Sequence, residues 1–350
     1  MPRGSTRTNK TESDPLIDRI ERMRAKQKEN ANDDLLHGQG EFVMDDDNGP
    51  EDQLPADEIT GTKDSKALSV KKPLPMWNEN ERAGPNVLMR SSLFTIAPKN
   101  SKRWVAVASK PREVACLGEY EISMVGEQLR QDDGDVFFAV LHLARLQAKR
   151  GGEVQFVASE FINELGWNRD GHTYKRLKQI FRRLASTLII VKGKNVHKDE
   201  IREAGFTMLQ YDFVREGAAN DGGKWRVRIP ESTINLFWVS HYSRMHWDLR
   251  RHLDSDLARF LHSLYSTFRG PLSFGVAQLQ ELSGSQQKRL SSFRQQLEDA
   301  HKELAKFGML ARWDWQDRKR NRLYIEPATI SEQHAWANEQ LELLSSDDGK

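Results

Sequence analysis

His172-Thr173-Tyr174-Lys175-Arg176-Leu177-Lys178-Gln179-Ile180-Phe181-Arg182-Arg183-Leu184 decides how this chain is read. Leu177, Ile180, Phe181, Leu184 and, just beyond, Leu188 recur at i, i+3, i+4, i+7 and i+11, the spacing of one helical face. Lys175, Lys178 and Arg182 form a second stripe at i, i+3 and i+7, with Arg176 and Arg183 beside it. The whole segment 171–198 contains no Asp or Glu, although acids are common on either side. A helix with one buried face and one purely cationic face suits a polyanion such as DNA.

The elements around this helix predict its fold. Met124 to Ala148 reads as a helix, with Val125, Leu129, Val136, Phe137, Val140, Leu141 and Leu143-Ala144 buried and a break near Asp132-Asp133-Gly134-Asp135. Gly151-Gly152 is a turn, and Val154 to Val157 alternates like a strand. A short helix from Ser159 stops at Gly166, and Asn168 to Gly171 turns into the basic helix. Leu188 to Val191, a turn at Lys192-Gly193-Lys194, Phe206 to Val214 and Trp225 to Ile229 then read as strands. Helix, strand, helix, turn, helix, hairpin is the order of a winged helix.

The order recurs from Asp254. Asp254 to Phe268 is a helix, Leu272 to Phe274 a strand and Val276 to Leu282 a short helix. Gln286 to Phe307 is a long helix ended by Gly308, and Met309 to Trp315 with Arg322 to Ile325 make a hairpin. Lys175-Arg176-Leu177 followed by Phe181 pairs with Lys288-Arg289-Leu290 followed by Phe293, a weak internal duplication with imperfect register. The predicted fold is α+β: two tandem winged-helix domains behind a disordered N-terminal region. The boundaries are 1–85 for the polar, aromatic-poor N-terminal region, 86–240 and 241–330 for the domains, and 331–350 for a C-terminal tail without an assigned role. Within the N-terminal region, residues 15–28 could form a transient amphipathic helix.

Charge and side-chain type divide the DNA work. On the first basic helix, Thr173, Tyr174, Lys175, Arg176, Lys178, Arg182 and Arg183 are mostly cations, which suit phosphates. On the second, Gln287, Lys288, Arg289, Ser291, Ser292, Arg294 and Gln295 include the types that pair with base edges. Arg318, Lys319, Arg320 and Arg322 read as a wing lying along the backbone. The aromatics Trp247, Trp313 and Trp315 read as packing residues.

Other classes find little support. The chain has 350 residues and a formal charge of only +2, so its cations are concentrated rather than general. One cysteine, Cys116, excludes an internal disulfide framework and a Cys-rich zinc site. There is no phosphate loop, no HExxH and no paired-His motif, so no enzyme, metal or cofactor is expected. No apolar run approaches the roughly 20 residues of a membrane span, and no secretion signal is visible, so a cytoplasmic setting is expected.

Arg90 to Phe94, Glu160 with Leu165-Gly166-Trp167, Tyr174, the segment Phe237 to Tyr242 leading into Trp247, Leu253 and Ala258-Arg259 together resemble the TrfA family of plasmid replication initiators. The resemblance covers about residues 65 to 325. It implies a bacterial protein that binds directly repeated origin sequences (iterons) in double-stranded DNA and opens adjacent AT-rich DNA. It further implies recruitment of host DnaA, the DnaB helicase and the polymerase sliding clamp, and copy control through a monomer–dimer balance. The family's clamp-binding segment reads Gln-Leu-Ser-Leu-Phe. Here Leu68 and Ser69 match, but the leading Gln and the final Phe are missing, which implies a weakened contact. The rival readings are a winged-helix transcriptional regulator and a protein–protein adaptor.

Overall fold

The computed structural model describes residues 73–98, 100–146, 153–195, 200–214 and 224–347. The expected disordered stretch up to residue 72, the helix at 15–28, Leu68 and Ser69, and the turn Gly151-Gly152 lie outside the described residues. Two hydrophobic cores organise what is described, one running from Leu74 to Trp247 and one from Leu249 to Ile325.

The first core begins earlier than the sequence implies. Leu74 and Trp77 are buried, and the Trp77 ring stacks on Phe237 at 6.1 Å. Strand β1 (Glu81–Pro85) is buried along its whole length and pairs antiparallel with β12 (Tyr242–His246). Residues 73–85 are therefore part of the domain, held by a partner strand some 160 positions away that no local pattern reveals. After α1 (Asn86–Met89) and the short strands β2 (Phe94–Thr95), β3 (Val105–Ala106) and β4 (Arg112–Val114) comes β5 (Tyr120–Glu127). Met124 and Val125 thus lie in a strand rather than a helix. Ile122 and Met124 alternate inward while Ser123 pairs outward across β8, the period of a half-buried sheet.

β6 (Leu129–Arg130) leads into helix α2 (Gln131–Leu146), so the Asp132 to Asp135 run is not a break but the helix's first turn. Acids there complement the helix dipole. Then follow β7 (Glu153–Val157), α3 (Ala158–Glu164) and the basic helix α4 (Gly171–Ser186). β8 (Leu188–Asn195) and β9 (Glu200–Thr207) are an insertion. Instead of turning at Gly193, β8 runs on to Asn195 and joins β3, β4, β5 and β9 in a five-stranded sheet. The wing proper is β10 (Gln210–Val214) and β11 (Lys224–Arg228), whose central strand β11 pairs with β7.

Helix α5 (Glu231–Val239), strand β12 and the short α6 (Trp247–Arg251) connect to the second unit. There α7 (Asp256–Tyr265), β13 (Leu272–Gly275), α8 (Val276–Leu282), α9 (Leu290–Lys306), β14 (Leu310–Trp315) and β15 (Arg322–Pro327) follow in order, and β15 again lies between the other two strands. The strand orders β7-β11-β10 and β13-β15-β14 match, so both units are winged helices. Gly166 and Gly284 close the second helix of each unit at φ 70 and 62, left-handed values that favour glycine. In each third helix one apolar triad has the same spacing, the buried Leu177, Ile180 and Leu184 against the half-buried Leu290 and the buried Phe293 and Leu297. Burial therefore pairs Phe293 with Ile180, one residue off the sequence alignment with Phe181.

The tail is a helix, α10 (Ile330–Asp347). Thr329 and Glu332 cap it reciprocally: Glu332 N–H donates to Thr329 Oγ1 (3.2 Å) and Thr329 N–H to Glu332 Oε2 (2.6 Å). Trp336 packs over Gly308 with no room for a Cβ, and the His334 ring contacts Glu81 of β1 at 3.0 Å.

Buried histidines make this fold sensitive to acid. Burial first, then the guanidiniums of Arg82 and Arg145, pushes His142 down to about 3. Its Nδ1 accepts from Trp77 Nε1 (3.0 Å). Burial, then His334, lowers His246 to about 4, and burial, then Arg250, lowers His262 to about 3. Burial also holds His301 at about 4; its Nδ1–H donates to the Leu297 carbonyl (2.6 Å) and its Nε2 accepts from the Tyr265 hydroxyl (2.9 Å). These folded-state values lie below those of the unfolded chain. Their stabilisation is therefore complete above about pH 6.5 and is lost as pH falls from there toward about 4 for His246 and His301 and toward about 3 for His142 and His262. At pH 5.5 each costs on the order of 1 kcal/mol. The unfolding free energy measured by urea titration is expected to drop by several kcal/mol in total between pH 7.5 and 5.5, with a matching fall in the midpoint; a flat profile would contradict neutral burial.

Candidate nucleic-acid interface

Asp170 caps α4, its carboxylate accepting from the Thr173 N–H at 2.7 Å. The helix buries Thr173, Leu177, Ile180, Phe181 and Leu184. The Phe181 ring meets Trp225 edge-on at 5.3 Å and Phe213 at 6.0 Å, so the wing strands fix the helix's rotation. Tyr174 is half-buried against the same core. The five cations then divide. Lys175 and Arg182 are exposed and Lys178 is half-exposed, its ammonium 5.8 Å from the Phe213 ring. None of the three has an ion-pair partner among the described residues.

Arg176 and Arg183 are turned inward, which corrects their assignment to phosphates. Arg176 lies over the Trp167 ring at 4.1 Å and donates to Asp132 through Nη2 at 3.0 Å. Arg183 donates to Asp133 through Nη2 at 2.7 Å and Nε at 2.9 Å. Arg103 also reaches Asp133, at 2.7 Å, and Asp133 is fully buried. Burial raises the Asp132 carboxyl, but the Arg176 and Arg103 guanidiniums outweigh it and hold the group below its usual range. Both arginines therefore fasten α4 to the first turn of α2. Thr173, buried and bonded to its cap, is also unavailable to a ligand.

In the second unit α9 starts at Leu290, four residues later than expected, so Gln287, Lys288 and Arg289 belong to the loop before it. All three are exposed. Phe293, Leu297, Ala300, His301 and Leu304 face the core, while Ser291, Ser292 and Gln295 face solvent. Gln295 donates to Asp299 at 3.1 Å. Arg294 is committed elsewhere: its Nε donates to the Arg320 carbonyl at 2.7 Å and its Nη2 to Asn321 Oδ1 at 2.9 Å.

The wing loop between β14 and β15 is tightly bonded. The Asp317 carboxylate accepts from Asn321 N–H at 3.0 Å and Arg322 N–H at 2.8 Å. Arg320 adopts φ 53 and pairs with Glu298 of α9 at 3.2 Å. A hydrogen bond from Lys302, then the Arg320 charge, keeps the Glu298 carboxyl low. Arg322 donates to Ser273 at 2.9 Å. Arg318 and Lys319 at the tip are exposed and have no ion pair among the described residues.

The first wing adds residues that the sequence reading missed. β11 reads Lys224-Trp225-Arg226-Val227-Arg228, with the aromatic and Val buried and the three cations exposed. Period-two alternation of cation and apolar residue was the available signal. Its cations are diluted, because Arg226 stands opposite Asp212 of β10 and Arg228 opposite Glu153 of β7. Among the described residues no group of three His, Cys, Asp or Glu side chains could hold a metal ion, and no helix is long and apolar enough to cross a membrane.

A family described as "TrfA protein" matches residues 62–319. The plasmid replication initiator protein TrfA of Escherichia coli is 25% identical over 267 residues, which cover 76% of this chain and 62% of that protein. The chain thus aligns with less than two thirds of this relative's length. Among solved structures, domains 2 and 3 of RctB superpose with a TM-score of 0.47 at 13% identity, covering 67% of this chain and 94% of that one. The WH1 domain of the replication protein MSBI1.176 gives 0.22 at 17% identity, covering 31% and 81%.

Proposed function

Because the chain belongs to the TrfA family, we propose that it is a plasmid replication initiator that binds duplex DNA sequence-specifically through both winged helices. One observation supports this most directly: each unit turns the outer face of its third helix toward solvent, with Lys175 and Arg182 exposed and Lys178 half-exposed on one and Arg289, Ser291, Ser292 and Gln295 exposed on or before the other. The first set suits phosphates and the second base edges. In this reading the site is an origin iteron, and binding leads to opening of neighbouring AT-rich DNA. Host DnaA and the DnaB helicase act next, with a weaker contact to the sliding clamp and a monomer–dimer balance limiting copy number. The chain acts in the bacterial cytoplasm as a binding protein and catalyses no reaction itself.

Selection of bound duplexes from a random pool tests this reading. The enriched sequence is expected to recur as direct repeats in the DNA that encodes the chain. A solitary promoter site would favour a transcriptional regulator, and no enrichment would refute sequence-specific binding. Arg289→Ala is expected to cost about 1–3 kcal/mol on the enriched duplex and to relax the preference at one base pair. Equal loss on random duplexes would place Arg289 on the backbone instead.

A further inference from the structure

We propose that Arg294 is a positioning residue: it braces the wing loop 316–322 against α9 so that Arg318 and Lys319 meet two neighbouring phosphates of the duplex that α9 reads. The inference rests on the DNA-binding reading above, and it replaces the expectation that Arg294 reads a base. The side-on edge of its guanidinium, Nε and Nη2, is occupied by the Arg320 carbonyl and Asn321 Oδ1. That edge is one of the forks by which arginine grips a guanine.

The rest of the loop is tied down from the same side. Glu298, one turn further along α9, pairs with Arg320 at 3.2 Å. Asp317 accepts from three backbone N–H donors through its carboxylate and carbonyl, those of Arg320, Asn321 and Arg322. The Asn321 carbonyl accepts from the Val276 N–H at the start of α8 (2.9 Å). Arg320 is a non-glycine residue at positive φ, a conformation that persists where surroundings over-determine it. Of the loop's cations only Arg318 and Lys319, at the tip, have neither an ion pair nor a side-chain hydrogen bond among the described residues. A rigid loop loses little freedom on binding, so its two cations meet phosphates at small entropic cost. Lysine at position 294 keeps the charge but lacks the rigid, planar pair of donors that meets both acceptors side by side, so it holds the loop less firmly.

The test uses the full-length chain and the duplex enriched from a random pool, with log Kd followed against log salt. Arg318→Ala with Lys319→Ala is expected to lower the slope by about 2, roughly one per phosphate. Arg294→Ala and Arg294→Lys are each expected to lower it by a similar amount, with no further loss when Arg294→Ala is added to the tip variants, and base preference is expected to stay as in the unmodified chain. In the free protein Arg294→Ala is expected to speed amide exchange at Asn321 and Arg322. A slope restored by Arg294→Lys, additive losses, a relaxed base preference or unchanged amide exchange would each overturn the brace. If the unmodified chain binds no duplex, the DNA reading itself fails and the phosphate role falls with it, while amide exchange still decides the brace.

Discussion

Arg250→Ala is expected to lower the unfolding free energy by about 3–5 kcal/mol, the cost of removing one partner of a buried ion pair. Arg250 is 1% exposed and lies at the junction of the two cores. Its Nε donates to Asp135 at 2.8 Å and its Nη2 to Gln131 at 3.2 Å, both at the N-terminal end of α2. Its Nη1 donates to the Arg259 carbonyl at 2.6 Å and to Ser263 at 2.9 Å, both on α7. One guanidinium thus joins the first helix of one winged helix to the first helix of the other. Alanine would leave the Asp135 carboxylate buried with, among the described residues, only the Arg259 guanidinium, at 3.7 Å, in reach. Urea midpoints measure the loss. Arg251→Ala, which removes an exposed pair with Asp248, is the control and is expected to cost less than about 1 kcal/mol. Equal midpoints for the two variants would mean that Arg250 does not join the units.

Replacing Lys175, Lys178 and Arg182 together by alanine is expected to reduce the salt slope of duplex binding by about 3 and the affinity at physiological salt by roughly 100-fold. The three are the α4 cations that the structure leaves facing outward. The loss is expected to be nearly the same on enriched and random duplexes, because phosphate contacts carry no sequence information. Arg176→Ala and Arg183→Ala are expected to behave in the opposite way, lowering stability through Asp132 and Asp133 with little change in slope. An unchanged slope in the triple variant, or a large slope change in the Arg183 variant, would contradict the division of this helix into an outward and an inward set of cations.

That division shows where local sequence stops being informative. Period alone revealed which face of α4 and α9 is buried, because helical spacing is a property of the segment itself. The same is true of the winged-helix order in both units. Which cation is free depends on a carboxylate elsewhere in the chain: Arg176 and Arg183 find theirs about 50 residues upstream, and Arg294 finds its acceptors in a loop 26 and 27 residues downstream. The Asp132 to Asp135 run illustrates the same limit. Read locally it is a break; folded, it pairs with Arg103, Arg176 and Arg183 and, through Asp135, with Arg250. Burial of Leu74, Trp77 and strand β1 was likewise invisible, since β1 gains its partner only when β12 arrives. The cap of α10, by contrast, is a local signal that went unread: Thr329-Ile330-Ser331-Glu332 is a capping box directly before a helical stretch.

The central claim is that one chain engages one duplex through two winged helices, the first holding backbone and the second reading bases. A backbone-cleavage footprint of the full-length chain on its enriched duplex tests this most directly. Protection is expected over about two helical turns, roughly 20 base pairs. The Lys175, Lys178 and Arg182 variant should lose protection in one turn only, and Arg289→Ala in the other. Protection confined to a single turn, or loss of both turns with either variant, would contradict the two-part reading.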